Sequence, residues 1–276
     1  MSHGQGTERL ARRKLDKARK LVVPTMPDPD VLPPDPLTFA KMCGFVPDAW
    51  QADVLTTDSD KTILCCSRQS GKSTVTALRA VREAVYVPNS LSLLLAPALR
   101  QSGELFRKCM QLYQSIDGPV PAIVHDSALR LELDNGSRII ALPGSESTTR
   151  GYSACTLVVI DEAARVPDDL IAAVRPSLAT TDGRLIVLST PWGRRGYFYK
   201  TWFHGEGWTR MMIKAEDCPR ISSKFLEAER RELGEFNYSQ EYECEFLDSE
   251  TSVFSSALIE RALSDTLKPF FPRKVA

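Results

Sequence analysis

The chain has 276 residues, 43% of them hydrophobic, and carries 35 Lys+Arg against 35 Asp+Glu. That composition suits one large domain with a small appendage, and a zero formal charge excludes a generally basic surface, so any grip on nucleic acid has to come from local patches. No run approaches the ~18 consecutive apolar residues of a membrane span, the first twenty residues are charged where a secretory signal is apolar, and seven cysteines without a C-x-x-C pair read as buried free thiols of a soluble intracellular protein.

Residues 1–36 open with Arg9, Arg12, Arg13, Lys14, Lys17, Arg19 and Lys20, then crowd prolines at 24, 27, 29, 33, 34 and 36. This reads as a basic arm on a stiff, extended linker, either a solvated tail or a contact for DNA or a partner subunit. From 37 to 214, short apolar runs bounded by turn residues alternate with longer stretches of helical period, the pattern of an α/β sheet. Strands are expected at Thr62–Cys66, Leu91–Ala96, Leu157–Ile160 and Leu185–Leu188, and helices at Lys72–Tyr86, Arg100–Ser115 and Asp168–Leu178. Leu129–Leu133 and Arg138–Leu142 alternate about Asn135-Gly136, a hairpin signal. Residues 215–250 change character: Ser222 or Ser223 opens a helix with Phe225, Leu226, Leu233 and Phe236 near helical spacing and Glu227 and Arg231 as an i,i+4 pair. This predicts a small helical subdomain. About thirty residues follow Phe246, a linker at 251–276 too short for a second catalytic domain.

Thr62–Thr74 is a buried strand entering a loop that ends in Gly71-Lys72-Ser73 and then a helix. Successive N–H groups of such a loop, backed by the helix N-terminus, surround a triphosphate; Lys72 neutralises the β- and γ-phosphates and the Ser73 hydroxyl binds Mg²⁺. Cys66 stands where the G-x-x-x-x-G-K-[ST] pattern has its first glycine. About ninety residues downstream, Leu157–Ile160 runs into Asp161-Glu162. Asp161 is positioned to hold Mg²⁺, directly or through water, and Glu162 to polarise the attacking water. The two motifs together point to ATP hydrolysis. Gln51, shortly before the first strand, offers a donor and an acceptor side by side, matching the adenine edge, on a helix that also sets Trp50 in the core. Ser189 and Thr190 end the fourth strand, at the edge where open α/β sheets bind ligands, and can sense the γ-phosphate or serve as turn formers.

These residues resemble one family. Ser67-Arg68-Gln69-Ser70-Gly71-Lys72-Ser73 is similar to the phosphate loop of tailed-phage terminase large subunits, which carries Arg-Gln before Gly-Lys and tolerates loss of the first glycine. Trp50-Gln51, Ala96-Pro97 with Arg100-Gln101-Ser102, Arg150-Gly151, Ser189-Thr190-Pro191 and Tyr242–Phe246 follow the same family's pattern in order, over about residues 40–260. The resemblance implies a RecA-like P-loop sheet (37–214) with a small C-terminal helical lid (215–250), and ATP bound with Mg²⁺ along Gln51 and Ser67 to Thr74. It also implies a homo-oligomeric ring that threads double-stranded DNA into a procapsid, with the portal protein and a small terminase subunit as partners. The setting is the cytoplasm of an infected bacterium and, transiently, the procapsid portal. Arg68 would help hold the phosphates, Ser189 and Thr190 couple hydrolysis to movement, and Arg150 is the candidate to reach a neighbour's nucleotide or a simple surface turn residue. Large terminases usually continue into a two-metal nuclease, so no nuclease activity is expected of this chain. A helicase-like or repair translocase, which normally pairs two RecA-like domains, and a non-hydrolysing nucleotide-dependent scaffold are the alternatives.

Overall fold

The structure is a computed structural model that describes residues 34–143, 149, 151–248 and 262. The basic arm, Arg150 and the 251–276 linker, save residue 262, lie outside the described residues. The elements in chain order are α1 (Pro36–Met42), α2 (Ala49–Thr56), β1 (Lys61–Cys66), α3 (Lys72–Tyr86), β2 (Leu91–Ala96), α4 (Leu99–Ser115), β3 (Ile123–Asp126), β4 (Arg130–Leu133), β5 (Arg138–Pro143), β6 (Leu157–Asp161), α5 (Asp168–Val174), β7 (Arg184–Ser189), α6 (Gly196–His204), β8 (Thr209–Ile213) and α7 (Ser223–Tyr242).

Among the described residues the strands form one eight-stranded sheet in the order β3-β4-β5-β2-β6-β7-β1-β8. The pairings from β5 through β8 are parallel, and β4 and β3 add an antiparallel edge. The central strands are buried on both faces, which is why they read as continuous apolar runs. Their side chains divide with period two: Leu64, Cys66, Leu94, Val159 and Leu188 face a layer built from α1 to α4, and Ile63, Cys65, Leu95, Ile160 and Val187 face one built from α5 and α6. Phe39, Val75, Leu78 and Leu105 fill the first layer; Leu170, Ile171, Phe198 and Phe246 fill the second. Each such fully buried side chain is worth about 1.5–3 kcal/mol before entropy is counted. All seven cysteines are buried and free. No described helix is long and apolar enough to cross a membrane.

Three local features differ from expectation. The helix after Asp168 ends at Val174 and tightens into a 3₁₀ turn over Arg175–Leu178, because Pro176 interrupts the α ladder. In α7, capped by the Ser222 hydroxyl accepting from Phe225 N–H, Gly234 takes a left-handed φ of 73° and breaks the helix. Burial is therefore concentrated beyond that break, at Tyr238–Tyr242, while Phe225 and Leu233 stay exposed. Arg231 donates to the backbone carbonyl of Glu227 rather than pairing with its carboxylate.

Candidate functional site

Parallel pairing sets the ends of β1, β6 and β7 side by side, with Asp161 in register with Leu188 and Ser189 with Cys65. The chain leaving β1 turns through residues 67–71 into α3, with Gln69 and Gly71 both left-handed (φ 60° and 94°). Gly71 is required twice over. Its φ suits glycine, and an added Cβ would lie 2.9 Å from Gln51 Nε2 and 3.1 Å from an Arg220 nitrogen.

The loop's backbone is sorted into two sets. Ser67 N–H donates to Ile213 O and Arg68 N–H to Glu241 O, which pins the loop to β8 and α7, and Thr74 N–H donates to Gly71 O. The N–H groups of residues 69–73 find no acceptor among the described residues. Five such donors leading into a fifteen-residue helix make a concavity suited to an anion. It is narrower than the Ser67-to-Thr74 span expected from the sequence.

The charged groups converge on that concavity. Ser73 Oγ donates to Asp161 Oδ2 at 2.8 Å, and Glu162 N–H donates to Asp161 Oδ1 at 2.9 Å. Lys72 Nζ lies 3.4 Å from Glu162 Oε1. Burial pushes the Asp161 carboxyl above its usual range, against the pull of Lys72. Burial alone would lower the Lys72 ammonium, but Glu162 and Asp161 outweigh it and hold its pKa above the ordinary value. A half-buried Ser hydroxyl and a carboxylate 2.8 Å apart are hard oxygen donors suited to Mg²⁺, which takes few protein ligands and completes its shell with water and phosphate. Among the described residues no group of three or more His, Cys, Asp or Glu side chains could hold a metal by itself.

Gln51 is fully buried beside the loop; its Oε1 accepts from Asp48 N–H at 2.9 Å and its Nε2 has no acceptor. The donor half of the expected adenine-reading edge is thus unused and the acceptor half is engaged. Arg68 pairs its Nε with Glu241 Oε2 at 2.8 Å. Ser189 and Thr190 are both buried, Ser189 Oγ without a partner and Thr190 Oγ1 accepting from Arg165 at 3.2 Å.

Three residues at the site went unread in the sequence. Arg165 bridges Glu162 and Glu241, and Arg220 donates to Ser70 O at 2.8 Å while pairing with Asp48. Only the Glu162–Arg165 spacing left a local trace; the others meet across 76 to 173 residues of chain. A cavity of about 700 Å³ lies elsewhere, lined by Tyr152, Ser153, Asp169, Ala172 and Pro176, and shares no residue with the phosphate loop.

Residues 63–261 match the family described as terminase large subunit, T4likevirus-type, N-terminal. The chain belongs to that terminase family. The terminase large subunit of Thermus virus P23-45 is 27% identical over 253 residues, covering 79% of this chain and 52% of that protein. The chain therefore spans about half the length of the curated relatives it matches. The large terminase ATPase domain of Thermus phage P74-26 superposes with a TM-score of 0.64 at 22% identity, covering 79% of this chain and 100% of that one. A large terminase of a thermophilic bacteriophage in complex with ADP gives a TM-score of 0.59 at 14% identity over 68% of this chain and 49% of that one. At these identities the likeness establishes a shared RecA-like fold for this terminase chain.

Proposed function

We propose that this chain is the ATPase motor part of a terminase large subunit, hydrolysing ATP with Mg²⁺ to drive double-stranded DNA into a procapsid. One observation carries the reading: Lys72, Ser73, Asp161 and Glu162 converge around five unpaired N–H groups at the carboxyl edge of the sheet. The N–H groups of residues 69–73 cradle the β- and γ-phosphates, and Lys72 turns from Glu162 to neutralise them. Ser73 and Asp161 hold Mg²⁺, which supplies charge neutralisation at the transferring phosphoryl group. Glu162 orients and polarises the attacking water. Gln51 Nε2 donates to the base. Arg68 leaves Glu241 for the phosphates, and the 215–250 segment acts as a lid whose position follows that exchange. Ser189 and Thr190 sense the loss of the γ-phosphate.

A ring of such subunits, with a portal protein and a small subunit as partners, is the proposed working form in the infected host's cytoplasm. Arg150 is its proposed trans-acting cation. Purified chain with ATP and Mg²⁺ should release phosphate, faster with DNA or when concentrated. Absence of release under all these conditions, in protein that still binds ATP, contradicts hydrolysis and favours a nucleotide-dependent scaffold. For the trans role, mixing Arg150→Ala with Glu162→Gln subunits should restore part of the activity; co-assembled mixtures without restoration remove Arg150 from it.

A further inference from the structure

Arg165 follows Glu162 by three residues on the 3₁₀ turn Ala163–Arg165. Its Nη1 lies 2.9 Å from Glu162 Oε2 and donates to Thr190 Oγ1 at 3.2 Å; its Nη2 lies 3.4 Å from Glu241 Oε1. The guanidinium sits over the Trp192 ring, 4.4 Å from its centroid. One side chain thereby joins the carboxylate after β6, the hydroxyl after β7 and the last turn of α7. A planar fork with fixed donors holds these partners in set directions while its face stacks on the ring, whereas a lysine's three donors rotate about a single point charge.

The two oxygens of Glu162 are held by different cations. Oε1 faces Lys72 on the phosphate loop, and Oε2 faces Arg165. Once Lys72 turns to phosphates, Oε1 loses its cation and faces the site where the attacking water must sit. Oε2 stays held, because Arg165 lies off the loop and is anchored by Thr190, Trp192 and Glu241. Without that hold the carboxylate is free to swing, and a displacement of about 1 Å in a catalytic group can lower a rate about 10²-fold.

We propose that Arg165 is a positioning residue for hydrolysis: it fixes Glu162 with Oε1 toward the water, and through Glu241 it makes that position depend on α7. The proposal rests on Glu162 being the water-activating carboxylate. Steady-state hydrolysis and equilibrium binding of a non-hydrolysable ATP analogue with Mg²⁺, measured on the full chain, test it. Arg165→Ala should lower kcat about 10- to 100-fold, with KM and analogue affinity within about twofold of the parent. Arg165→Lys, which keeps a charge beside Glu162 but not the bridge, should recover part of the loss. In a Glu162→Gln background Arg165→Ala should add nothing further, since it acts through Glu162. Parental kcat in Arg165→Ala alongside a slow Glu162→Gln overturns the proposal and leaves the Glu162 assignment standing. Parental turnover by Glu162→Gln removes that assignment itself. A full extra loss in the Gln background, or analogue affinity falling in step with kcat, makes Arg165 merely structural and overturns the proposal. Should Arg165→Ala not fold, Arg165→Lys decides alone: kcat below the parent at unchanged affinity supports positioning, and parental kcat contradicts it.

Discussion

At the β3–β4–β5 edge of the sheet, buried Leu131 and Leu133 alternate with Arg130 and Glu132 along β4, β5 buries Ile139, Ile140 and Ala141 in succession after Arg138, and β3 is exposed at every position. The turn there is closed by its own residues: Asn135 Nδ2 donates to the carbonyls of Ala84 and Val85 at the end of α3, and its Oδ1 accepts from Ser137 N–H. At the carboxyl ends of β1, β6 and β7 the pattern is reversed. Buried charges crowd together, and among the described residues five backbone donors are unpaired and Gln51 Nε2 and Ser189 Oγ lack partners. The hairpin turn is a stability element whose buried Asn135 amide is satisfied by the protein. The phosphate-loop edge leaves groups without partners among the described residues, donors that suit a phosphate ligand, and desolvated charge lowers stability until one binds. Substitutions should therefore separate: the first edge loses fold, the second loses chemistry.

The largest effect should come from Leu131→Ala, which empties a fully buried position. Denaturant unfolding should show about 2–5 kcal/mol of lost stability, with the folded fraction hydrolysing at the parental KM. An altered KM would mean that the two edges communicate. Next is Lys72→Ala, which removes a charge-assisted contact worth about 1.5–3 kcal/mol. Equilibrium binding of ATP should weaken about 10- to 150-fold, and unchanged affinity would place the phosphates elsewhere. Gly136→Ala forces a side chain into a φ of 80° with its Cβ 2.3 Å from Asn89 Oδ1. It should cost about 1–2 kcal/mol with hydrolysis per folded molecule unchanged.

The smallest effect concerns pH. Because burial raises the Asp161 carboxyl in the folded chain, the folded state holds a proton that the unfolded state has released between pH 3.8 and that raised value. This makes Asp161 subtract stability as pH rises through the window. Asp161→Asn should flatten that part of the profile in melting curves of nucleotide-free protein. A steeper acid-side profile in the variant would contradict the burial argument.

The strands buried on both faces were legible because continuous apolar runs have few other uses, and the hairpin because Asn135-Gly136 suits a left-handed turn residue. What escaped was governed by position in the sheet. Along β8, at the sheet's far edge, intermediate and exposed positions alternate before Ile213, and β3 buries nothing, so neither carries an apolar signature. At the site, the convergence of Lys72, Ser73, Asp161 and Glu162 was legible because each sits at a strand-to-helix or strand-to-turn junction. Arg165, Arg220 and Glu241 were not, since a surface-looking Arg or Glu acquires meaning only from the partner that the fold brings to it. The same limit applies to α7. Phe225 and Leu233 fall near helical spacing, but the break at Gly234 puts the packed face at Tyr238 and Tyr242.

The most direct test of the account is a crystal structure of the chain with a non-hydrolysable ATP analogue and Mg²⁺. The account predicts the phosphates within hydrogen-bonding distance of the N–H groups of residues 69–73, with Lys72 Nζ moved from Glu162 to the phosphates. It also predicts Mg²⁺ at the Ser73 hydroxyl, about 2.0–2.1 Å away. An analogue seated in the cavity beside Tyr152 and Pro176, with the Lys72–Glu162 pair intact, would contradict it.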